Sequence, residues 1–304
     1  MRIVSLIASA TEIISALGAQ NDLVGRSHEC DWPFGVEGLP ALTRARFDTK
    51  QNSLEIDRAV KDIVKEGLSV YDVDHDLLKA LAPDLIVTQD QCEVCAASLD
   101  DVEAALCEWI EHDIKIISLH PNTLEDVFAD IHKVSRAISR EGAAVELTQQ
   151  MTEKLESLTS SSTASQSEPS VFMLEWIEPA MAAGHWIPTL VEAAGGRNLI
   201  TKEGEPSPYV SWESISDCDP DLIVVAPCGF DVERTITEME TLRSHEIWNS
   251  LRAVKSGKVA VMDGNRYINR PSPAVVESAA MLADIMWEHS PKNGPRAWRW
   301  LETS

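Results

Sequence analysis

Short runs of β-branched and leucine residues alternate with longer amphipathic segments along the whole chain. Such alternation is typical of βα units packed around a mostly parallel sheet. Seven runs have the length and composition of strands, and they cover residues 3–6, 23–27, 85–88, 114–118, 171–175, 222–226 and 259–262. The pattern predicts an α/β fold in which parallel sheets are flanked by helices.

A long helical segment separates two groups of these runs. Residues 123–158 keep apolar side chains at helical spacing, with only Gly142 interrupting. This spacing predicts one long helix or a kinked pair of helices. A single helix of this length would extend on the order of 50 Å, which is more than one small domain needs. A chain of 304 residues is also long enough for two domains. The predicted division is an N-terminal α/β lobe at 1–121, a bridging helical region at 122–160 and a C-terminal α/β lobe at 161–304.

The two halves echo each other in sequence. Pro-Asp-Leu-Ile-Val at residues 83–87 recurs at residues 220–224. The first half carries an extra segment between its echoes, at roughly residues 43–74. Either an internal duplication or the independent recurrence of a helix-to-strand junction accounts for this pattern.

The charge balance excludes several kinds of partner. The chain has 26 Lys and Arg against 49 Asp and Glu, a formal net charge of -23, which repels phosphate backbones and anionic lipid headgroups. We therefore expect no nucleic acid partner. No run approaches the roughly 18 apolar residues of a membrane helix, and no secretory signal pattern precedes the first strand, so we expect no membrane insertion and a cytoplasmic location.

The residues just after the predicted strands are rich in side chains that bind ligands. Ligands of open α/β sheets bind beyond the carboxyl ends of the strands. The candidates at these ends are His28, Cys30, Trp32, Cys92, Cys95, Trp176, His185, Trp186, Cys228, Arg266 and Arg270.

Two chemistries fit these side chains. Thiolate and imidazole groups bind zinc, iron or an iron–sulfur cluster when three or four converge, which makes His28, Cys30, Cys92, Cys95 and Cys228 candidate metal ligands. Indole rings cover flat ligands, although ordinary loop packing accounts for them equally well. The chain has no Walker loop, no GxSxG and no HExxH motif, so we predict that it is not an enzyme.

Several segments resemble a known family, the two-lobed substrate-binding proteins of ABC importers for cobalamin, siderophores and haem. The resemblance runs through residues 4–13, 16–25, 78–87, 191–196 and 270–273 and through the long helical region. It is strongest to the cobalamin-binding members. HECDWP at 28–33, TQDQCEVC at 88–95 and GHWIP at 184–188 are similar to a branch of these that lacks export signals.

The resemblance implies two Rossmann-like lobes joined by a long helix, as in class III periplasmic binding proteins. It implies a non-enzymatic protein that holds a metal chelate, cobalamin or a related corrinoid, haem or siderophore, in a cleft between the lobes. The ligand-binding residues would be Trp32, Trp176, His185, Trp186, Arg266 and Arg270. An ABC permease would dock on Asp76 and Glu213, the positions that match the family's docking acids. The alternative is a cytoplasmic metalloprotein or enzyme that binds zinc, iron or an iron–sulfur cluster through cysteine and histidine.

Overall fold

The computed structural model describes residues 1–66, 68–90, 114–162, 168–287 and 297–302. Within these ranges the chain forms two compact units. The first comprises residues 1–51, 55–121 and 125–150, and the second comprises residues 52–54, 122–124 and 151–304. Cys92 and Cys95 lie outside the described residues.

The first unit is built on a parallel sheet. Its strands and helices are β1 (Ile3–Ser5), α1 (Ala8–Ala16), β2 (Leu23–Arg26), β3 (Thr43–Ala45), α2 (Ser53–Lys65), β4 (Tyr71–Val73), α3 (His75–Leu81), β5 (Leu85–Gln89) and β6 (Lys115–Leu119). The sheet order is β2-β1-β5-β6, and all three pairings are parallel. β3 and β4 form a separate antiparallel hairpin. The carboxyl ends of all four sheet strands therefore lie along one edge.

Two helices follow this sheet where the sequence predicts a long helical region. They are α4 (Leu124–Ala137) and α5 (Glu141–Ser162). The kinked-pair alternative is confirmed, but the break lies at residues 138–140 and Gly142 is inside α5. The break is marked by Ser139, whose φ of 55° is in the left-handed region and cannot continue a right-handed helix.

The second unit also has a parallel core, with antiparallel strands at both edges. Its strands and helices are β7 (Ser170–Trp176), β8 (Met181–Ala182), α6 (Ile187–Ala193), β9 (Arg197–Asn198), α7 (Trp212–Cys218), β10 (Leu222–Val225), α8 (Val232–Met239), α9 (Glu246–Ser250), α10 (Arg252–Lys255), β11 (Val259–Met262), α11 (Val275–Met286) and β12 (Trp298–Trp300). The order is β12-β11-β10-β7-β8, and β9 also pairs with β7. β7, β10 and β11 run parallel, whereas β8 and β12 are antiparallel to their neighbours.

The repeated Pro-Asp-Leu-Ile-Val segment connects the end of a helix to the start of a strand in both units. In each case a seven-residue helix, α3 or α7, ends on a residue with left-handed φ, Ala82 at 42° or Asp219 at 41°, and the next strand begins three residues later. The Asp84 carboxylate accepts a hydrogen bond from the backbone N–H of Arg2 at 2.7 Å, and the Asp221 carboxylate accepts one from Ser170 at 2.8 Å. The aspartate thus ties each strand to the start of its neighbour.

All seven predicted strands are present, and the predicted α/β class is confirmed. Their β-branched residues form the cores. In the first unit Val4, Leu6 and Ile86 pack with Leu42 and Leu78, and in the second the core is centred on β7 and β10. No helix within the described ranges has the length and apolar character needed to cross a membrane.

Candidate functional site

The loop after β2 brings three of the predicted site residues to the edge of the first sheet. The Ser27 N–H donates to the carbonyl of Ser5 at 2.7 Å, which continues the parallel pairing one residue past the strands. His28, Cys30 and Trp32 follow. His28 is half-buried, Cys30 is fully buried and Trp32 is 45% exposed. Three neighbouring residues therefore have three different environments.

His28 is held by the β3–β4 hairpin. Its Nδ1 lies 2.7 Å from Oγ1 of Thr43, and its backbone N–H donates to the same oxygen at 3.0 Å. The Tyr71 ring packs against the imidazole at a centroid distance of 5.4 Å. Burial, and secondarily the nearby Arg26 guanidinium, lowers the pKa of His28 from its usual value. The imidazole is therefore neutral at physiological pH, the form in which histidine binds metals.

Cys30 has a structural role. Its sulfur accepts a hydrogen bond from the Thr11 hydroxyl at 3.0 Å, and the same hydroxyl lies 2.8 Å from the Ser5 hydroxyl. This contact ties the loop to α1 inside the core. A fully buried thiol in this setting behaves as a small packing side chain.

Aromatic side chains project from the same loop. Phe34 is 87% exposed, close to the half-exposed Trp32 in sequence. The loop itself is anchored, because the Gln20 amide donates to the Phe34 carbonyl at 3.0 Å and the Glu37 carboxylate accepts from the Gly35 N–H at 3.0 Å. Exposed aromatic rings on an anchored backbone suit contact with a flat ligand.

A second polar cluster lies at the ends of β5 and β6. The ring Nδ1 of His120 is 2.8 Å from the Asp90 carboxylate, and both side chains are exposed. The backbone N–H of His120 donates to Asp130 of α4 at 3.1 Å. Burial raises the pKa of the Asp130 carboxyl to about 6, and this hydrogen bond offsets only part of that effect.

In the second unit, β7 ends in Glu175 and Trp176. The Ser207 hydroxyl donates to Glu175 at 2.5 Å, but burial still raises the pKa of this carboxyl. The Trp176 ring meets the buried Phe230 ring edge-on, with centroids 5.3 Å apart. Trp176 itself is half-buried, so part of its indole remains accessible at the strand end.

The loops after β10 and β11 are joined to each other by backbone hydrogen bonds. The N–H groups of Gly264 and Asn265 both donate to the Phe230 carbonyl, at 3.0 and 3.1 Å. A side chain at Gly264 would collide with the carbonyl of Pro227, so only glycine allows this close approach. The π-helical turn Gly264–Ile268 starts at Asp263, whose carboxylate accepts from the Arg266 N–H at 2.7 Å.

The two predicted arginines differ in exposure. The Arg266 guanidinium lies 5.2 Å from the centre of the Tyr267 ring, and the side chain is half-buried. Arg270 is only 5% exposed and donates to the side-chain oxygen of Asn265 at 3.1 Å. Arg266 is therefore the more accessible of the two.

Trp186 and His185 also differ in exposure. Trp186 is only 5% exposed, and its indole N–H donates to the Ile268 carbonyl at 3.2 Å, which places it in the interior of the unit. His185 is half-buried and has a φ of 55°, and its ring stacks on Trp186 at a centroid distance of 5.9 Å. Of the two, the structure leaves His185 closer to the surface.

The proposed metal ligands do not assemble within the described residues. There, no group of three or more histidine, cysteine, aspartate or glutamate side chains has an arrangement that holds a metal ion. Cys30 is engaged with Thr11, and Cys228 is an exposed thiol in the second unit. The remaining candidates, Cys92 and Cys95, lie outside the described ranges.

The sequence analysis missed the partners of His28. Thr43 and Tyr71 both come from the hairpin inside the extra segment at roughly residues 43–74. An insertion found in one half of an internally similar chain is the signal that points to them. The residue types do not, because threonine and tyrosine are ordinary strand residues.

A model of the periplasmic binding protein family matches residues 3–265 of the chain. The chain belongs to this family. It is therefore a ligand-binding protein, and the prediction that it is not an enzyme is confirmed. The fold agrees, because both units have the parallel sheet and flanking helices of solved members.

The individual relatives share about a fifth of their residues with this binding protein. It is 22% identical over 289 residues to a vitamin B12-binding protein of Vibrio cholerae, covering 94% of this chain and 88% of the relative. The solved structure of a periplasmic vitamin B12 binding protein of Vibrio cholerae matches with a TM-score of 0.67 and 20% identity, covering 94% of this chain and 96% of that one. A periplasmic heme binding protein from Pseudomonas aeruginosa matches with a TM-score of 0.74 and 18% identity, covering 99% and 98%. These structural similarities show a shared fold.

The predicted cytoplasmic location is wrong. It relied on finding no secretory signal pattern before the first strand, whereas the family and the two solved structures named above are periplasmic. The family thus points to a periplasmic location for this binding protein. The pattern of a short N-terminal segment is weaker information than the match of a whole family model.

Proposed function

We propose that this protein binds a metal chelate of the corrinoid or haem type through residues of its strand-end loops. The observation that carries the proposal is the loop after β2, which presents a neutral, half-buried imidazole at His28 close in sequence to an exposed indole at Trp32. An imidazole provides a ligand for the central metal, and an indole covers the apolar face of a macrocycle.

The second unit offers complementary chemistry. Trp176 presents part of an indole, and the half-buried Arg266 has a guanidinium suited to oxygen atoms on the edge of a macrocycle. The vitamin B12-binding and heme-binding relatives support a chelate of this kind. In the described part of the chain nothing favours the alternative of a zinc or iron–sulfur protein.

Binding is tested by titrating the whole chain with cyanocobalamin, aquacobinamide and haemin, using tryptophan fluorescence quenching and equilibrium dialysis. We expect saturable binding of at least one chelate. Trp32→Ala should weaken it by roughly tenfold, whereas Trp32→Phe, which keeps an aromatic face, should weaken it less. Trp300→Phe is the matched control, because Trp300 lies on the edge strand β12, away from the strand-end loops. Failure of all three chelates to bind would refute the proposal.

We further propose that the loaded protein delivers its ligand to an ABC permease through Asp76 and Glu213. Each is exposed and is the second residue of its helix, Asp76 in α3 and Glu213 in α7, and these two helices are structural equivalents in the repeated unit. The Asp76→Asn, Glu213→Gln double variant should reduce cellular uptake of radiolabelled cobalamin and leave the dissociation constant for cobalamin unchanged. Equal uptake by the variant and the natural protein would argue against this docking surface.

A further inference from the structure

The hydrogen bonds of His28 leave one ring nitrogen for a ligand. Among the described residues, every hydrogen bond that the structure shows for the imidazole goes to Nδ1, through Thr43. Thr43 is itself buried, at 6% exposure, and the hairpin fixes its position. Within the described ranges Nδ1 is therefore the ring atom through which the imidazole is oriented, and Nε2, across the ring from it, is the atom that would meet a ligand.

Thr43 can set the tautomer of His28. Its hydroxyl accepts the His28 backbone N–H and lies 2.9 Å from the Ser27 hydroxyl, which is also buried. In one arrangement Ser27 donates to Thr43 and Thr43 donates to Nδ1, which leaves the proton on Nε2. In the other, Nδ1–H donates to Thr43 and Thr43 donates to Ser27, which leaves a lone pair on Nε2. A metal at Nε2 selects the second arrangement, as in metal sites whose histidine is oriented by its other ring nitrogen.

We propose that His28, oriented by Thr43, coordinates the cobalt of a corrinoid whose axial position is open. This inference rests on the proposed function and names the ligand class within it. A corrinoid that carries its own nucleotide base can fill one axial position with that base, whereas cobinamide lacks it. The protein thus supplies the missing axial nitrogen.

Charge favours a corrinoid over haem at this site. Glu29, whose carboxylate accepts a hydrogen bond from the Tyr71 hydroxyl at 3.2 Å, and the exposed Asp31 lie one and three residues after His28. The Arg26 guanidinium is also near the imidazole, but it donates to the backbone carbonyls of Ser27 and Glu37, so the two carboxylates outweigh it in charge. The whole chain has a formal net charge of -23. Haem carries two anionic propionates, which this field repels, whereas the side chains of cobinamide are uncharged amides.

The test is electron paramagnetic resonance of the whole protein loaded with Co(II) cobinamide. In the g∥ region of the spectrum, an axial ¹⁴N ligand splits each cobalt hyperfine line into a triplet, and an axial ¹⁵N ligand splits it into a doublet. With protein labelled with ¹⁵N only in histidine, we expect doublets. His28→Ala should abolish the splitting. Thr43→Val, which keeps the side-chain shape but removes the hydroxyl, should weaken cobinamide binding by at least about tenfold, whereas Thr43→Ser should retain both splitting and affinity.

His120 provides the matched control. It also lies at a strand end of the first sheet, but it is exposed and paired with Asp90. His120→Ala should leave the doublets unchanged. Three results would each overturn the inference while leaving chelate binding intact. They are loss of the doublets in His120→Ala, binding of cobinamide without nitrogen splitting, and binding of haem through His28 in preference to cobinamide. Absence of binding by every chelate would instead refute the proposed function itself. Thermal melts of each variant establish that it is folded.

Discussion

Replacement of Asp130 by asparagine should stabilise the protein at neutral pH and have little effect in acid. Asp130 is 7% exposed, and its pKa is raised to about 6 from an ordinary 3.8, chiefly by burial. The folded chain thus holds this proton more tightly than the unfolded chain does. Stability linked to the protonated carboxyl is fully present below about pH 4 and is lost as the pH rises through about 6.

The expected gain follows from that difference. Each pKa unit is worth about 1.4 kcal/mol, so the ceiling at pH 7 is about 3 kcal/mol, and partial solvent screening lowers the expectation to about 2 kcal/mol. Asparagine keeps an oxygen to accept the His120 N–H but carries no charge. Urea unfolding followed by circular dichroism at about pH 4 and pH 7 measures the effect.

Glu125→Gln, an exposed substitution on the same helix, is the control for the Asp130 experiment, and we expect it to change the free energy of unfolding by less than about 1 kcal/mol. Equal effects of Asp130→Asn at both pH values would refute the reasoning, because a purely structural change would not follow the titration of the carboxyl.

Two further predictions concern the backbone and acid stability. Gly264→Ala should destabilise the protein by at least about 2 kcal/mol in urea unfolding, because the added methyl group would collide with the Pro227 carbonyl. Gly142→Ala is the control and should stabilise the protein by about 0.5–1 kcal/mol, because Gly142 has open space around it in α5. Similar effects of the two variants would contradict the steric role of Gly264. Hydrogen bonds from Ser170 and Arg252 lower the pKa of Asp221 to about 2, so its stabilising effect is present above about pH 4 and is lost as the pH falls toward 2. The stability difference between the natural protein and Asp221→Asn should therefore shrink over that range, and a constant difference would show that the charge is not involved.

The candidate site was only partly predictable. His28, Trp32 and Arg266 follow sheet strands as the sequence analysis expected, whereas Trp176 is the last residue of its strand. A parallel sheet places all these carboxyl ends at one edge. The sequence analysis could not give the exposure of these residues. Trp186 and Arg270 belong to the same residue types but are buried, since the turn after β11 supplies hydrogen-bond partners for both.

The strands, the helical region and the family could all be predicted from the amino-acid sequence. The strands and helices depend on the local alternation of apolar and polar residues, and the family resemblance is carried by short segments of sequence, so both can be read from neighbours along the chain. Tertiary structure alone decided the environment of His28. Its partners Thr43 and Tyr71 are distant in sequence, and they reach the imidazole only when the β3–β4 hairpin packs beside the loop after β2. The orientation of this imidazole is thus set by contacts that no local pattern encodes.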